Sequence, residues 1–249
     1  MIYSFKSRIR YSETDKNSEL SFPALLDYFQ DTSTFHGEDN QLPLHFLFSQ
    51  NITWVLGGWQ VRIFKPMHLN DFITVSTWAH NFRQCLGFRN YSIKNEAGEL
   101  TAVADTQYVL INLKDQTPVR IPEYMVSGYG LEKDVHIDLK MQRKIRICSQ
   151  EKRLEPVSVQ EYMIDANNHV NNSQYVKTTM LYLPKDFSFN CFRCEYKKQA
   201  RVGDTFYPAV SQLENGIQIK LYDADDSLFF AGEWTTDNEQ TGESYASNR

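Results

Sequence analysis

A polar hexapeptide that occurs twice constrains this chain more than any other feature. Asp15-Lys16-Asn17-Ser18-Glu19-Leu20 is matched 150 positions later by Asp165-Ala166-Asn167-Asn168-His169-Val170. A second pair follows at a similar spacing, with Pro66-Met67-His68-Leu69-Asn70-Asp71 over Gln199-Ala200-Arg201-Val202-Gly203-Asp204, an offset of 133. Two matched turns in the same order imply a duplicated fold. The offsets differ because the first half has a longer stretch, roughly residues 38–52, between its helix and its next strand. With 249 residues, the chain has room for two domains of about 120 residues each.

The element pattern repeats as well. Residues 3–11 read as extended, and SFPALLDYFQDTSTFHG reads as a helix, with Ser21 as N-cap, Pro23 in the first turn and Gly37 closing it. Residues 53–113 are β-branched and aromatic runs split by turn signals such as Leu69-Asn70-Asp71 and Glu96-Ala97-Gly98. Residues 114–153 read as a connector, broken by Pro118 and Pro122 and rich in basic residues. The order then recurs: VSVQEYM as a strand, DANNHVN as a polar turn, NSQYVKTTMLYL as a helix ended by Pro184, and four further strands. One helix followed by an antiparallel set suggests a sheet curled around that helix, which makes the fold class α+β, duplicated in tandem. The boundaries we expect are 1–125 and 153–236 for the two domains, 126–152 for the connector and 237–249 for a frayed polar tail.

Composition adds limits. The net charge of −5 argues against a broad nucleic-acid-binding surface, although a local basic patch is compatible with it. No run approaches the ~18 uninterrupted apolar residues of a membrane span, and the first residues lack a signal-peptide core. The expected location is therefore cytoplasmic. Cys191 and Cys194 form one C-x-x-C with no second pair at zinc-finger spacing, so two thiols on a strand are favoured over a metal or redox site. There is no G-x-S-x-G elbow, Walker A or H-E-x-x-H segment, and Gly128-x-Gly130 lacks the third glycine of a dinucleotide motif.

The densest polar cluster is Asp165-x-Asn167-x-His169-Val170-Asn171-Asn172, placed where a strand gives way to a helix. N–H groups at a helix start point outward and can receive a developing oxyanion. An imidazole beside them is a general base near neutral pH, because its unperturbed pKa is about 6.5. An adjacent carboxylate and amide can orient that imidazole and a water. Singly, each of these residues is also an ordinary turn former or cap. The whole cluster, with a partial copy upstream, suits acyl transfer to water.

Asp165-x-Asn167-x-His169-Val170-Asn171-Asn172-x-x-Tyr175 resembles the signature of the acyl-ACP thioesterase family. Glu195-Tyr196-Lys197-Lys198-Gln199-Ala200 is similar to that family's Glu-Tyr-Arg-Arg-Glu-Cys segment. Trp54-Val55 with the strand ending near Trp78, and Ile121-Pro122-Glu123, extend the likeness over most of residues 5–235. The resemblance implies a tandem double hot-dog, each half a sheet around a central helix, with the acyl pocket shaped by the first half and the chemistry in the second. It implies Asp165, Asn167 and His169 as the catalytic set, an acyl carrier protein bearing a fatty acyl chain as partner, and neither metal nor organic cofactor. Gln199-Ala200 departs from the family's Glu-Cys, so no cysteine nucleophile stands there. Gln199 retains an amide that can position water. We expect water attack assisted by His169, with an N–H near Val170 or Asn171 on the oxyanion. A covalent route through an Asp is not distinguished by sequence.

The first half keeps Asp15 and Asn17 but has Glu19 in the place of His169, and a carboxylate of pKa near 4.3 is a weaker base. That half is expected to be catalytically silent. Trp54, Trp59 and Phe64 are candidates for the acyl pocket, with ordinary core packing as the other reading. The basic residues from Lys140 to Arg153, with Lys197, Lys198 and Arg201, fit either a docking patch for an acidic carrier or a solvated linker. An acyl-CoA thioesterase, a hot-dog dehydratase or hydratase, and a non-catalytic acyl-thioester binding module stand as alternatives. The chain is compatible with a monomer or a homodimer.

Overall fold

A computed structural model describes residues 1–237. The expected polar tail therefore lies, apart from Asp237, outside the described residues. The described chain divides into two compact units, residues 1–57 with 61–139, and residues 58–60 with 140–237. Among the described residues no helix is long and apolar enough to cross a membrane.

In the first unit, β1 (Tyr3–Arg8) leads through a short 3-10 turn (Tyr11–Glu13) to α1 (Phe22–Asp39) and α2 (Leu44–Ser49). Then come β2 (Ile52–Ile63), β3 (Phe72–Arg83), β4 (Leu86–Asn95), β5 (Leu100–Asn112) and α3 (Glu123–Tyr129). The strands stand in the order β1-β3-β4-β5-β2. Ser21 caps α1 by accepting from the Ala24 N–H, and Pro23 sits where a missing N–H costs nothing. The buried stripe Phe22, Leu25, Leu26, Phe29 and Thr32 lays the helix against β3 and β1. Phe29 meets Tyr91 of β4 at 5.1 Å between ring centroids.

In the second unit, β6 (Lys152–Arg153) and β7 (Val157–Ser158) precede a 3-10 turn (Glu161–Met163) and α4 (Asn172–Met180). The strands β8 (Cys191–Tyr196), β9 (Thr205–Leu213), β10 (Gly216–Tyr222) and β11 (Leu228–Thr235) follow. They order as β8-β11-β10-β9-β6, with β7 also on β9. Tyr175 of α4 is buried among Tyr196, Phe206 and Phe230, with ring centroids 5.5, 5.3 and 5.9 Å away. Each half is thus an antiparallel sheet packed on one main helix, the arrangement expected of a double hot-dog.

The duplication extends to individual hydrogen bonds. The Asn17 N–H donates to Asp15 Oδ1 at 2.8 Å, and the Asn167 N–H to Asp165 Oδ1 at 2.8 Å. Ser18 and Asn168 share a left-handed φ, 61° and 60°. The Leu20 N–H reaches the Met67 carbonyl at 2.7 Å, and the Val170 N–H the Ala200 carbonyl at 2.8 Å. Asp71 and Asp204 each accept from an N–H three residues upstream, at 2.7 and 2.8 Å. Asn70 and Gly203 between them both have positive φ, which Gly and Asn tolerate best.

Several local expectations fail. Helix α1 runs through Gly37 to Asp39, because Gly37 is buried with a Cβ position only 3.1 Å from the Leu42 carbonyl. That glycine permits close packing and does not end the helix. The VSVQEYM segment is strand only at Val157–Ser158 and then tightens into a 3-10 turn. The stretch 38–52 includes α2, and α3 spans the expected 125/126 boundary.

The linker beyond α3 has little regular structure, yet buried side chains of the sheets hold its backbone. In the first unit Asn90, fully buried, brackets Ile137 by accepting from its N–H at 3.0 Å and donating to its carbonyl at 3.2 Å. In the second unit Gln218 accepts from the Cys148 N–H at 2.9 Å and donates to the Arg146 carbonyl at 2.9 Å. Lys220, also fully buried, donates to the Cys148 carbonyl at 2.8 Å and pairs with Glu151. Buried backbone groups need such partners, and polar residues at these strand positions supply them.

Candidate active site

The Asp165–Asn171 turn joins the second 3-10 turn to α4. Three hydrogen bonds shape it from within: Asp165 N–H to the His169 carbonyl at 2.9 Å, Asn168 N–H to the Asp165 carbonyl at 3.0 Å, and Asn167 N–H to Asp165 Oδ1 at 2.8 Å. Asn171 is the N-cap of α4, its side chain accepting from the Ser173 N–H at 2.9 Å. The turn is anchored outward by Val170 on Ala200 and by the Asn171 N–H on the Met163 carbonyl, each at 2.8 Å.

The Val170–Ala200 bond is the contact that draws the two sequence motifs together. It sets the residue after His169 against the residue after Gln199. Tyr175 reinforces the junction. Its hydroxyl accepts from the Ala200 N–H at 2.7 Å and donates to the Lys198 carbonyl at 3.4 Å, so both neighbours of Gln199 are fixed by a side chain of α4. Burial pushes the Tyr175 phenol well above its usual range and keeps the hydroxyl neutral. The sequence motif contained Tyr175, but spacing alone gave it no role.

His169 is half-buried, both ring nitrogens are enclosed, and no hydrogen bond of normal geometry matches them among the described residues, the Asn167 backbone making only a loose one. A neutral imidazole has one donor and one acceptor nitrogen. Leaving buried polar atoms unmatched costs about 1–3 kcal/mol each, so each such atom calls for an explanation, a catalytic role being one. The imidazole pKa lies below 6.5, first because burial penalises the cation and next because Arg201 is close. Asp165 and the Asn167 backbone pull the other way.

The expected set is only partly assembled. Asp165 is half-buried and holds the Asn167 N–H, with the Asn167 amide 3.4 Å from its other oxygen. It shapes the turn and acts on His169 through charge. No hydrogen bond links it to the imidazole, because its carboxylate is directed to the Asn167 backbone. Asn167 and Gln199 are exposed. The Val170 and Asn171 N–H groups, expected at the oxyanion, are both already donors to backbone carbonyls, since the junction is stitched there. In the first half Glu19 takes the His169 position, and His68, the counterpart of Arg201, lies 3.8 Å from it.

Trp54, Trp59 and Phe64 fall in different settings. Trp54 is half-buried, donates to the Tyr129 hydroxyl at 3.2 Å and packs on the cluster of Leu42, Leu47, Ile52, Leu110, Ile121 and Met125. Trp59 is sealed, at 1% exposure, within the second unit. Phe64 is half-buried just past β2, its N–H on the Thr101 carbonyl. Cys191 and Cys194 are buried on β8, outside any disulfide. An odd separation on a strand directs them to opposite faces, and burial pushes Cys194 up to about 12.

Residues 1–129 match the family described as acyl-ACP thioesterase N-terminal domain, and residues 148–238 match acyl-ACP thioesterase C-terminal domain. No curated relative matches the chain. Three similar solved structures agree in fold at low identity. An acyl-ACP thioesterase from Bacteroides thetaiotaomicron is 18% identical, with TM-score 0.84 over 94% of this chain and 97% of that one. A putative oleoyl thioesterase from Lactobacillus plantarum is 20% identical, with TM-score 0.81 over 96% and 98%. A 12:0-ACP thioesterase from Umbellularia californica is 15% identical, with TM-score 0.82 over 94% and 96%.

Removing the Arg201 charge should move the His169 pKa upward while burial keeps it below 6.5, and Asp165→Asn should move it downward. The check is an NMR titration of the imidazole in wild type, Arg201→Gln and Asp165→Asn. A fall in Arg201→Gln would contradict the electrostatic assignment.

Proposed function

The chain belongs to the acyl-ACP thioesterase family, and on that premise we propose that the Asp165–Asn171 turn of its second half is where the thioester is cleaved, with His169 as general base. The family's activity is hydrolysis of fatty acyl-[acyl-carrier-protein] thioesters to free fatty acid and holo-ACP. The observation that supports the site most directly is the enclosed imidazole of His169, without a hydrogen bond of normal geometry, beside the Val170–Ala200 stitch.

In this scheme His169 removes a proton from water as the water oxygen attacks the thioester carbonyl. The tetrahedral intermediate collapses with cleavage of the C–S bond, and the imidazolium returns the proton to the departing sulfur. The products are a carboxylic acid and the carrier thiol, and atoms and charge balance over the cycle. A lowered pKa keeps the imidazole neutral and able to act as a base below pH 6.5. Gln199, held on both sides by Tyr175, positions the water through its amide. With the Val170 and Asn171 N–H groups committed, the oxyanion is assigned to the exposed Asn167 amide. Asp165 positions Asn167. No step requires a metal or an organic cofactor.

We assign acyl-chain binding to the first half, with Trp54 and the apolar cluster around it as the candidate lining, and a cytoplasmic location to the protein. Docking of an acidic carrier is assigned to exposed Lys144 and Arg146. Arg153, Lys197 and Lys198 are less suited to it, because each already pairs with an acid of this chain.

Two outcomes follow. His169→Ala should cut kcat/KM for thiol release from acyl-ACP on the order of 10²-fold or more. The ascending limb of the wild-type pH profile should have its midpoint below 6.5, and turnover intact in the variant would remove His169 from the chemistry. Separately, Lys144→Glu with Arg146→Glu should raise KM for acyl-ACP while leaving a small thioester untouched. An equal effect on both substrates would contradict carrier docking there.

A further inference from the structure

A second group of titratable side chains lies in the first unit, apart from the turn that carries His169. His80 of β3, Asp105 of β5 and His136 of the linker bring one donor atom each to within 4.8 Å of one another. We propose that these three residues form a binding site for a divalent transition-metal ion of the zinc class, which fastens the linker to the sheet.

The geometry is already close to a ligand set. His80 Nε2 stands 3.1 Å from Asp105 Oδ1. A tetrahedral ion with bonds of about 2.0 Å separates its ligand atoms by roughly 3.3 Å. The His80 and His136 rings lie 4.2 Å apart, 28° from parallel. Asp105 is 3% exposed and His136 is exposed, so the site has a buried carboxylate at its base and an open mouth for entry.

Its parts are placed by structure that owes nothing to a metal. His80 is the extra residue of a β-bulge, the register slipping between Ala79 and Asn81 against β4. Bulges of this kind re-aim side chains and recur beside functional sites. His136 is fixed from both sides, by the Trp78 indole donating to the Val135 carbonyl at 2.5 Å and by the Asn90 bracket on Ile137. The linker residue between two clamped neighbours is therefore held with its ring beside His80 and its donor atom within 4.8 Å of the other two.

The donor chemistry selects the ion. Two imidazoles with one carboxylate suit zinc and its borderline neighbours, whereas magnesium and calcium prefer all-oxygen sets. Three protein ligands leave a position for water. An ion here would join β3, β5 and the linker, a cross-link that stabilises the folded form by binding it alone.

The test uses the full chain stripped with a chelator and then titrated with Zn²⁺ by calorimetry and with Co²⁺ by visible absorption. The wild type should take up one equivalent, show the intense visible bands of four-coordinate Co²⁺ and gain thermal stability with Zn²⁺. His136→Ala, a change at an exposed linker position, should keep the fold by circular dichroism, weaken binding by more than about tenfold and lose both the bands and the stabilisation. Its thioesterase turnover without metal should match that of stripped wild type. No uptake by the wild type, or equal uptake by folded His136→Ala, would overturn the proposal. The latter result would place the ion elsewhere, for instance at His68 with Glu19 and Asp71.

Discussion

The hydrogen bond from the Val170 N–H to the Ala200 carbonyl, 2.8 Å long, is the constraint on which the site depends. A turn of this composition has many conformations available, and its side chains gain a fixed direction only if both ends are held. The N-cap at Asn171 holds the helix end, and the bond to Ala200 holds the turn against the segment leaving β8. The hydroxyl of Tyr175 closes the triangle by gripping the same segment from inside the sheet. The outcome is a polar turn held at both ends, with one imidazole enclosed and lacking a hydrogen bond of normal geometry.

The two halves share one turn frame, and on the proposed function only the second is reactive. Both use the same carboxylate to pin the same N–H, the same left-handed residue, and the same bond to the segment ahead of the next strand. The difference lies in what hangs from the frame. In the first half Glu19 faces solvent, 44% exposed, and lies near His68. In the second half the equivalent position turns an imidazole inward, and the partner position holds Arg201, whose charge helps keep that imidazole neutral.

Those turns were legible in the sequence because turn chemistry is local. Asp15 and Asp165, with Asn70 and Gly203, occupy positions where short polar residues or a missing Cβ are required by backbone geometry, so two copies in the same order are recognisable. The main helices and the strands β2 to β5 and β8 to β11 were legible from apolar periodicity. The short helices α2 and α3 were not, since each is a turn or two whose burial is decided by distant partners. The grip of Asn90, Gln218 and Lys220 on the linker was hidden for the same reason: a polar residue in a strand gives no sign of which backbone it will bond. The motif marks the site residues, but nothing in the sequence shows that Asp165 holds Asn167 or that the Val170 and Asn171 N–H groups serve as anchors.

The central claim is that one frame serves both halves while only the second is reactive. Matched substitutions, Asp15→Ala and Asp165→Ala, measured side by side for unfolding free energy and for kcat on acyl-ACP, test it most directly. Each change removes a carboxylate that holds an N–H, so both should lower stability by a similar amount, about 1 kcal/mol. Only Asp165→Ala should lower kcat, because only that turn carries an imidazole. A comparable loss of kcat in Asp15→Ala at unchanged fold, or full activity in Asp165→Ala, would contradict the account.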